Sequence, residues 1–129
     1  MQRSGLPKSS RLKSKKDIEA LFQSGEAFFV HPYRVMAIFS GCDDGSFAIQ
    51  YGFSAPKKKF KTAVQRNRIK RITREACRLQ QQGLVEHLRT QKRQVKLMFI
   101  YAASTIEPYP LCFTAVAKIF KKLAAKHVD

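Results

Sequence analysis

Acidic residues are scarce in this chain: nine Asp and Glu stand against twenty-five Lys and Arg over 129 residues, a formal net charge of +16. Tryptophan is absent, and the three cysteines, Cys42, Cys77 and Cys112, form no CxxC pair. That number and spacing exclude a disulfide framework and a zinc knuckle, and leave free thiols in a reducing compartment. The three histidines are equally scattered, and so few acids make a protein cage for a hard cation implausible. No apolar run approaches the ~20 residues that span a bilayer, and the opening MQRSGLPKSSRLKSKK has no apolar signal-peptide core. The sequence also lacks a GxxxxGK phosphate loop, an HExxH helix and any clear nucleophile–base pair. A cytoplasmic protein with no membrane partner and no catalytic site of its own is expected.

The cations that remain are not evenly spread. KKKFKTAVQRNRIKRITREACR, from Lys57 to Arg78, contains a single acid, Glu75. On an α-helix, with successive residues ~100° apart, Ile69, Ile72, Ala76 and Leu79 form an apolar stripe. Arg66, Asn67, Lys70, Arg71, Arg74 and Arg78 fall away from it. A charged helix face is ordinarily solvated surface laced with i,i+4 acid–base pairs. Here Glu75 can serve only Arg71 or Arg68, and like charges at that spacing destabilise a helix by ~0.2–0.5 kcal/mol per pair. A row of guanidinium groups tolerated on those terms is suited to fork onto phosphate oxygens. The excess charge of the whole chain points the same way, to a polyanion and above all a nucleic acid.

The rest of the chain supplies one folded unit. Residues 1–13 read as a basic arm and residues 14–129 as a single α/β domain. Ser14 and Asp17 resemble a capping box, Ile18, Leu21 and Phe22 follow at helical spacing, and Gly25 is expected to end that helix in a left-handed conformation. Ala27 to Phe39 is aromatic and β-branched, interrupted by Pro32, and GCDDG (residues 41–45) has turn chemistry. Phe47, Ile49, Tyr51 and Phe53 alternate with smaller or polar residues, so this second run is expected to pair antiparallel with the first across that turn. The basic helix should fray near Gln82 and Gly83. Val95 to Ala102 (VKLMFIYA) suits a strand covered on both sides. Cys112, Val116, Ile119, Phe120 and Leu123 then form the buried stripe of a last helix, with Lys118, Lys121, Lys122 and Lys126 away from it. The expected class is α+β, with about four strands and three helices packed as a two-layer sandwich.

The signature K-K-x-x-x-x-A-V-x-R-N-R-I-K-R-x-x-R-E, supplied by Lys58, Lys59, Ala63, Val64, Arg66, Asn67, Arg68, Ile69, Lys70, Arg71, Arg74 and Glu75, resembles that of the protein subunit of bacterial ribonuclease P. RLKSKKDIEALFQSG, AIQYGFSAPKK and VKLMFIYA resemble further segments of that family, so most of residues 10–125 is covered. The resemblance implies a left-handed βαβ crossover, although such units are right-handed in ~98% of proteins. It implies an RNA subunit that, with magnesium, removes the 5′ leader of precursor tRNA, and a protein that binds both RNAs without itself holding a cofactor. It assigns Arg66, Asn67, Arg68, Lys70, Arg71 and Arg74 to the catalytic RNA. It assigns Phe22, Tyr33, Lys58, Lys59 and Ile18 to a cleft for the leader, in which aromatic rings stack on bases for ~1–3 kcal/mol each. Ile18 stands where the family often has a second phenylalanine, and Ile18, Leu21 and Phe22 equally suit the core face of their helix. The free protein is expected to be a monomer. A ribosomal-type RNA-binding protein is the rival reading, ahead of a DNA-binding regulator and a nuclease built on Asp43 and Asp44.

Overall fold

A computed structural model describes residue 12, residues 15–41 and residues 48–125 of the chain. Ser14, the GCDDG residues beyond Gly41, Phe47, Lys126 and all of the N-terminal arm except Leu12 lie outside the described residues. Helix α1 (Lys15–Ser24) leads to strands β1 (Glu26–Val30), β2 (Tyr33–Gly41) and β3 (Ile49–Ser54). Helix α2 (Ala63–Thr90), strand β4 (Arg93–Tyr101) and helix α3 (Tyr109–Ala125) follow. The strands form one mixed sheet in the order β1-β2-β4-β3, with β3 parallel to β4 and the other pairs antiparallel. This is the expected α+β class.

The expected pairing of the second and third strands does not form, because β4 lies between them. The reason is apolarity on both sides. VKLMFIYA is the one run whose alternate residues can bury against helices on opposite faces, and a central position gives it both. Its inward set, Val95, Leu97, Phe99 and Tyr101, joins Tyr33, Val35, Ala37, Ile49 and Tyr51 in the main core beneath α2 and α3. On the other face Met98 packs with Leu12 and Leu21, flanked by Ile18, Met36, Ile38 and Ile100. Helix α1 therefore covers part of the sheet face that α2 and α3 leave open. An ion pair from Lys96 Nζ to Asp17 Oδ1 at 3.2 Å fastens it there.

Gly25 ends α1, but not through a left-handed backbone. A Cβ at this position would come within 2.6 Å of the Leu21 carbonyl oxygen, so close approach excludes any larger residue. At Gly52 a Cβ would meet Met98 Cε at 2.8 Å, so the Met98 side chain packs directly over this glycine. Leu12 lies over the same spot and its N–H donates to the Tyr51 carbonyl at 2.6 Å.

Helix α2 does not fray at Gln82 and Gly83; it continues for 28 residues to Thr90. Leu84 and Leu88, both buried, extend the inward stripe and hold the last two turns against the core. That stripe is Ile69, Thr73, Ala76, Cys77, Leu84 and Leu88. Leu79, assigned to it from the sequence, is 54% exposed, while Ile72 is partly buried. Thr62 caps the N-terminus, its Oγ1 accepting from the Gln65 N–H at 3.2 Å. In α3 the predicted stripe is buried throughout, from Cys112 to Leu123.

Candidate nucleic-acid interface

The signature residues from Ala63 to Glu75 occupy the first four turns of α2. No acid stands in the first turn. Asn67, Arg68 and Arg71 are exposed; Arg66, Lys70 and Arg74 are half-buried. Two of the half-buried ones, Arg66 and Arg74, are oriented by the protein. Arg66 Nη1 donates to the Phe60 carbonyl at 2.7 Å. The Arg74 guanidinium lies 5.9 Å from the centroid of the Phe53 ring, a cation–π arrangement. Glu75 pairs with Arg78 and not with Arg71 or Arg68, its Oε1 accepting from Arg78 Nε at 3.1 Å. The Arg78 hydrogen bonds hold the Glu75 carboxyl below its ordinary range and raise Arg78 in turn. The single acid of the segment is thus satisfied, and Arg68 and Arg71 keep their charge facing outward.

Lys57, Lys58 and Lys59 are exposed in the connection before α2. Lys59 Nζ donates to the Ala102 carbonyl at 2.8 Å, which ties this turn to the end of β4. Phe22 is 56% exposed and Ile18 partly buried, so the two divide the roles proposed for them: Ile18 packs and Phe22 is accessible.

Tyr33 belongs elsewhere. It is 1% exposed, on the sheet face opposite α1, and its hydroxyl hydrogen-bonds to Thr73 Oγ1 of α2 at 2.8 Å. Burial pushes its hydroxyl far above the ordinary phenol range. An enclosed ring offers no face to a base, so the assignment of Tyr33 to an accessible cleft is corrected: it is a core residue. The parity of β2 explains this. Tyr33, Val35 and Ala37 point to α2 and α3, and Arg34, Met36 and Ile38 to the other side.

That other side holds residues the sequence reading passed over. Register places Phe29, Arg34, Ile100 and Ser54 in one row across all four strands. Phe29 is 57% exposed and Arg34 is exposed. Phe22 rises from α1, which is packed on this same face. The result is an open half-sheet with two accessible aromatic rings and a cation. The signal was present in the alternation from Tyr33 to Ala37, which fixes the outward set once either face is known.

Among the described residues no three His, Cys, Asp or Glu side chains come together as a metal would require. No described helix is long and apolar enough to cross a membrane.

A mixed four-stranded sheet carrying a long, outward-cationic helix defines a small basic α+β protein built to meet a polyanion. Residues 6–124 match the ribonuclease P protein family, and the chain belongs to that family. The ribonuclease P protein component of Porphyromonas gingivalis is 31% identical over 120 residues, covering 93% of this chain and 87% of the relative. That of Microcystis aeruginosa is 34% identical over 74 residues, covering 57% of this chain and 62% of the relative. The fold is that of the Staphylococcus aureus ribonuclease P protein, with a TM-score of 0.69 at 18% identity over 90% of this chain and 96% of that one. The Thermotoga maritima protein gives 0.67 at 18% identity, over 87% and 96%. The chain is accordingly an accessory protein component of ribonuclease P, an endoribonuclease of tRNA processing.

Proposed function

We propose that this protein binds the RNA subunit of ribonuclease P through Arg66, Asn67, Arg68, Lys70, Arg71 and Arg74. On this reading it holds the 5′ leader of precursor tRNA on the sheet face flanked by α1, with Lys58 and Lys59 at the rim. The observation that carries the first part is the basic N-terminal half of α2, whose one acid, Glu75, is occupied by Arg78 while Arg68 and Arg71 face outward. Guanidinium groups that fork onto phosphates release condensed counterions, and this drives association of two otherwise repelling RNAs. The leader role is supported by Phe22, Phe29 and Arg34. Two accessible rings give stacking without strong sequence choice, and a cation meets the backbone. Hydrolysis, with its magnesium, resides in the RNA. The protein's contribution is affinity and position, and the free protein acts in the cytoplasm as a monomer until it joins the RNA.

The test is precursor-tRNA cleavage at low magnesium with a bacterial ribonuclease P RNA, with this protein, and with both. Cleavage at the mature 5′ end only with both present is the expected result. Tight RNA binding with no gain in cleavage across several such RNAs would instead give the ribosomal-type reading.

A further inference from the structure

A second cationic surface lies on α3. This 17-residue helix contains no acid, and its exposed side carries Lys118, Lys121 and Lys122. These stand at i, i+3 and i+4, the spacing at which like charges repel. Lys122 is also held in place, its Nζ 6.0 Å from the centroid of the Phe28 ring on β1. The acid of β1 is Glu26, two residues from Phe28 on the same side of the strand.

The position of this patch separates it from the signature helix. Lys122 reaches β1 at one edge of the sheet, whereas Arg74 rests over Phe53 of β3 at the other edge. Three strand spacings of ~4.8 Å put at least ~14 Å between those edges. That exceeds the ~8 Å Debye length at physiological salt, so the two surfaces attract anions independently. A membrane-lying helix would flank its lysines with large exposed apolar residues. Here Phe120 and Leu123 are buried in the core, and Ala117 and Ala125 flank the lysines.

We propose that Lys118, Lys121 and Lys122 form a second RNA-contact surface, which takes a phosphate tract of the catalytic RNA distinct from the one met by α2. The proposal rests on the RNA-subunit reading above. A folded RNA can present two such tracts to opposite flanks of one small protein; a short single strand cannot.

The experiment compares the full chain with a K118Q/K121Q/K122Q variant for binding to a bacterial ribonuclease P RNA over a salt series. A K118R/K121R/K122R variant and an R68A/R71A variant run alongside. Each lost phosphate contact removes about 0.7–0.9 from the log–log salt slope, so a fall of about 2–2.7 is expected for the glutamine variant. The arginine variant should keep the original slope. Losses from the glutamine and R68A/R71A changes should add when combined. An unchanged slope, or a loss of affinity equal at every salt concentration, would overturn the second surface alone. Absence of salt-dependent binding by the unaltered protein would overturn the RNA-subunit reading and this proposal together.

Discussion

Replacing Tyr33 by Phe separates a core role from a ligand role with the removal of one atom. Thr73 Oγ1 has a single proton, which it donates to the Ile69 carbonyl at 2.9 Å, so Tyr33 is the donor in the 2.8 Å bond between the two hydroxyls. Both residues are almost fully enclosed, at 1% and 2% exposure. Tyr33→Phe leaves the Thr73 oxygen with a buried lone pair and no donor, a cost of about 1–2 kcal/mol. For a domain of this size that lowers Tm by about 4–8 °C. Thr73→Val takes away this acceptor and leaves the Tyr33 hydroxyl only the neighbouring Cys112 thiol, so it should cost somewhat less. The double variant should be less destabilised than the sum by at least ~1 kcal/mol, because neither orphan remains. Urea unfolding of the four proteins measures the cycle. Affinity of Tyr33→Phe for precursor tRNA, taken well below its Tm, should match the unaltered protein with or without a leader. A leader-dependent loss of affinity with no change in stability would refute the placement of Tyr33 in the core.

Other expectations follow from the same geometry. Arg68 and Arg71 changed together to Ala should weaken binding to the RNA subunit and lower the salt slope by about 1.5, at roughly 0.7–0.9 per phosphate; filter binding at several salt concentrations would detect an unchanged slope, which removes them from the interface. Phe22→Ala and Phe29→Ala should each reduce affinity for precursor tRNA about 5- to 150-fold, the equivalent of ~1–3 kcal/mol of stacking, and leave mature tRNA unaffected. Equal losses for both tRNAs would take these rings out of leader contact. Burial raises all four tyrosine hydroxyls, Tyr33 and Tyr51 most of all. Their stabilising contribution is therefore complete below the ordinary phenol value of about 10 and is lost as pH climbs above it, since the unfolded chain then holds fewer protons. Phenolate absorbance from Tyr33 and Tyr51 should appear with unfolding, and full titration of the tyrosines in a protein still folded by circular dichroism would contradict it. Cys77 and Cys112 are buried and their thiols are pushed up by burial, so both should resist iodoacetamide until denaturant is added; peptide mapping that finds either alkylated rapidly in the native protein would count against their placement.

Local pattern made the helices legible and long-range competition hid the sheet order. The α3 stripe was readable because each of its members repeats at helical spacing and each finds the core. The α2 stripe was read one residue off: Ile69 and Ala76 are buried as expected, but Cys77 and Thr73 take the inward place given to Leu79. Small or polar residues can face a close-packed neighbour, and a hydrophobicity count does not register them. Sheet order depends on which strand can be buried twice, a comparison between segments far apart in the chain. The signature cations were legible as charge on a helix, but the partners that orient them, the Phe60 carbonyl and the Phe53 ring, arise from tertiary contact. Tyr33 shows the limit of residue type alone. An aromatic at a plausible position can face either side of a strand, and parity decides which.

The length of α2 bears directly on how the signature is displayed. Its first turns bring cations to the positive end of the helix dipole, where each is unfavourable by about 0.3–1 kcal/mol at the surface. Neighbouring like charges add to that cost. An isolated helix of such composition would be marginal in water, since nucleation is unfavourable and propagation gains little per residue. Had the helix ended at Gly83, only Ile69, Thr73, Ala76 and Cys77 would remain of its fully buried face. Leu84 and Leu88 add two large enclosed side chains, each stabilising by about 1.5–3 kcal/mol when buried. Helical cooperativity transmits that anchoring back through the continuous backbone ladder to the N-terminal turns. The apolar half of α2 thus offsets the repulsion in the basic half, and the helix backbone fixes where each cation projects. On the RNA-binding reading, cations carried on a helix bind without the loss of backbone entropy that a flexible basic tail of equal charge would incur on ordering.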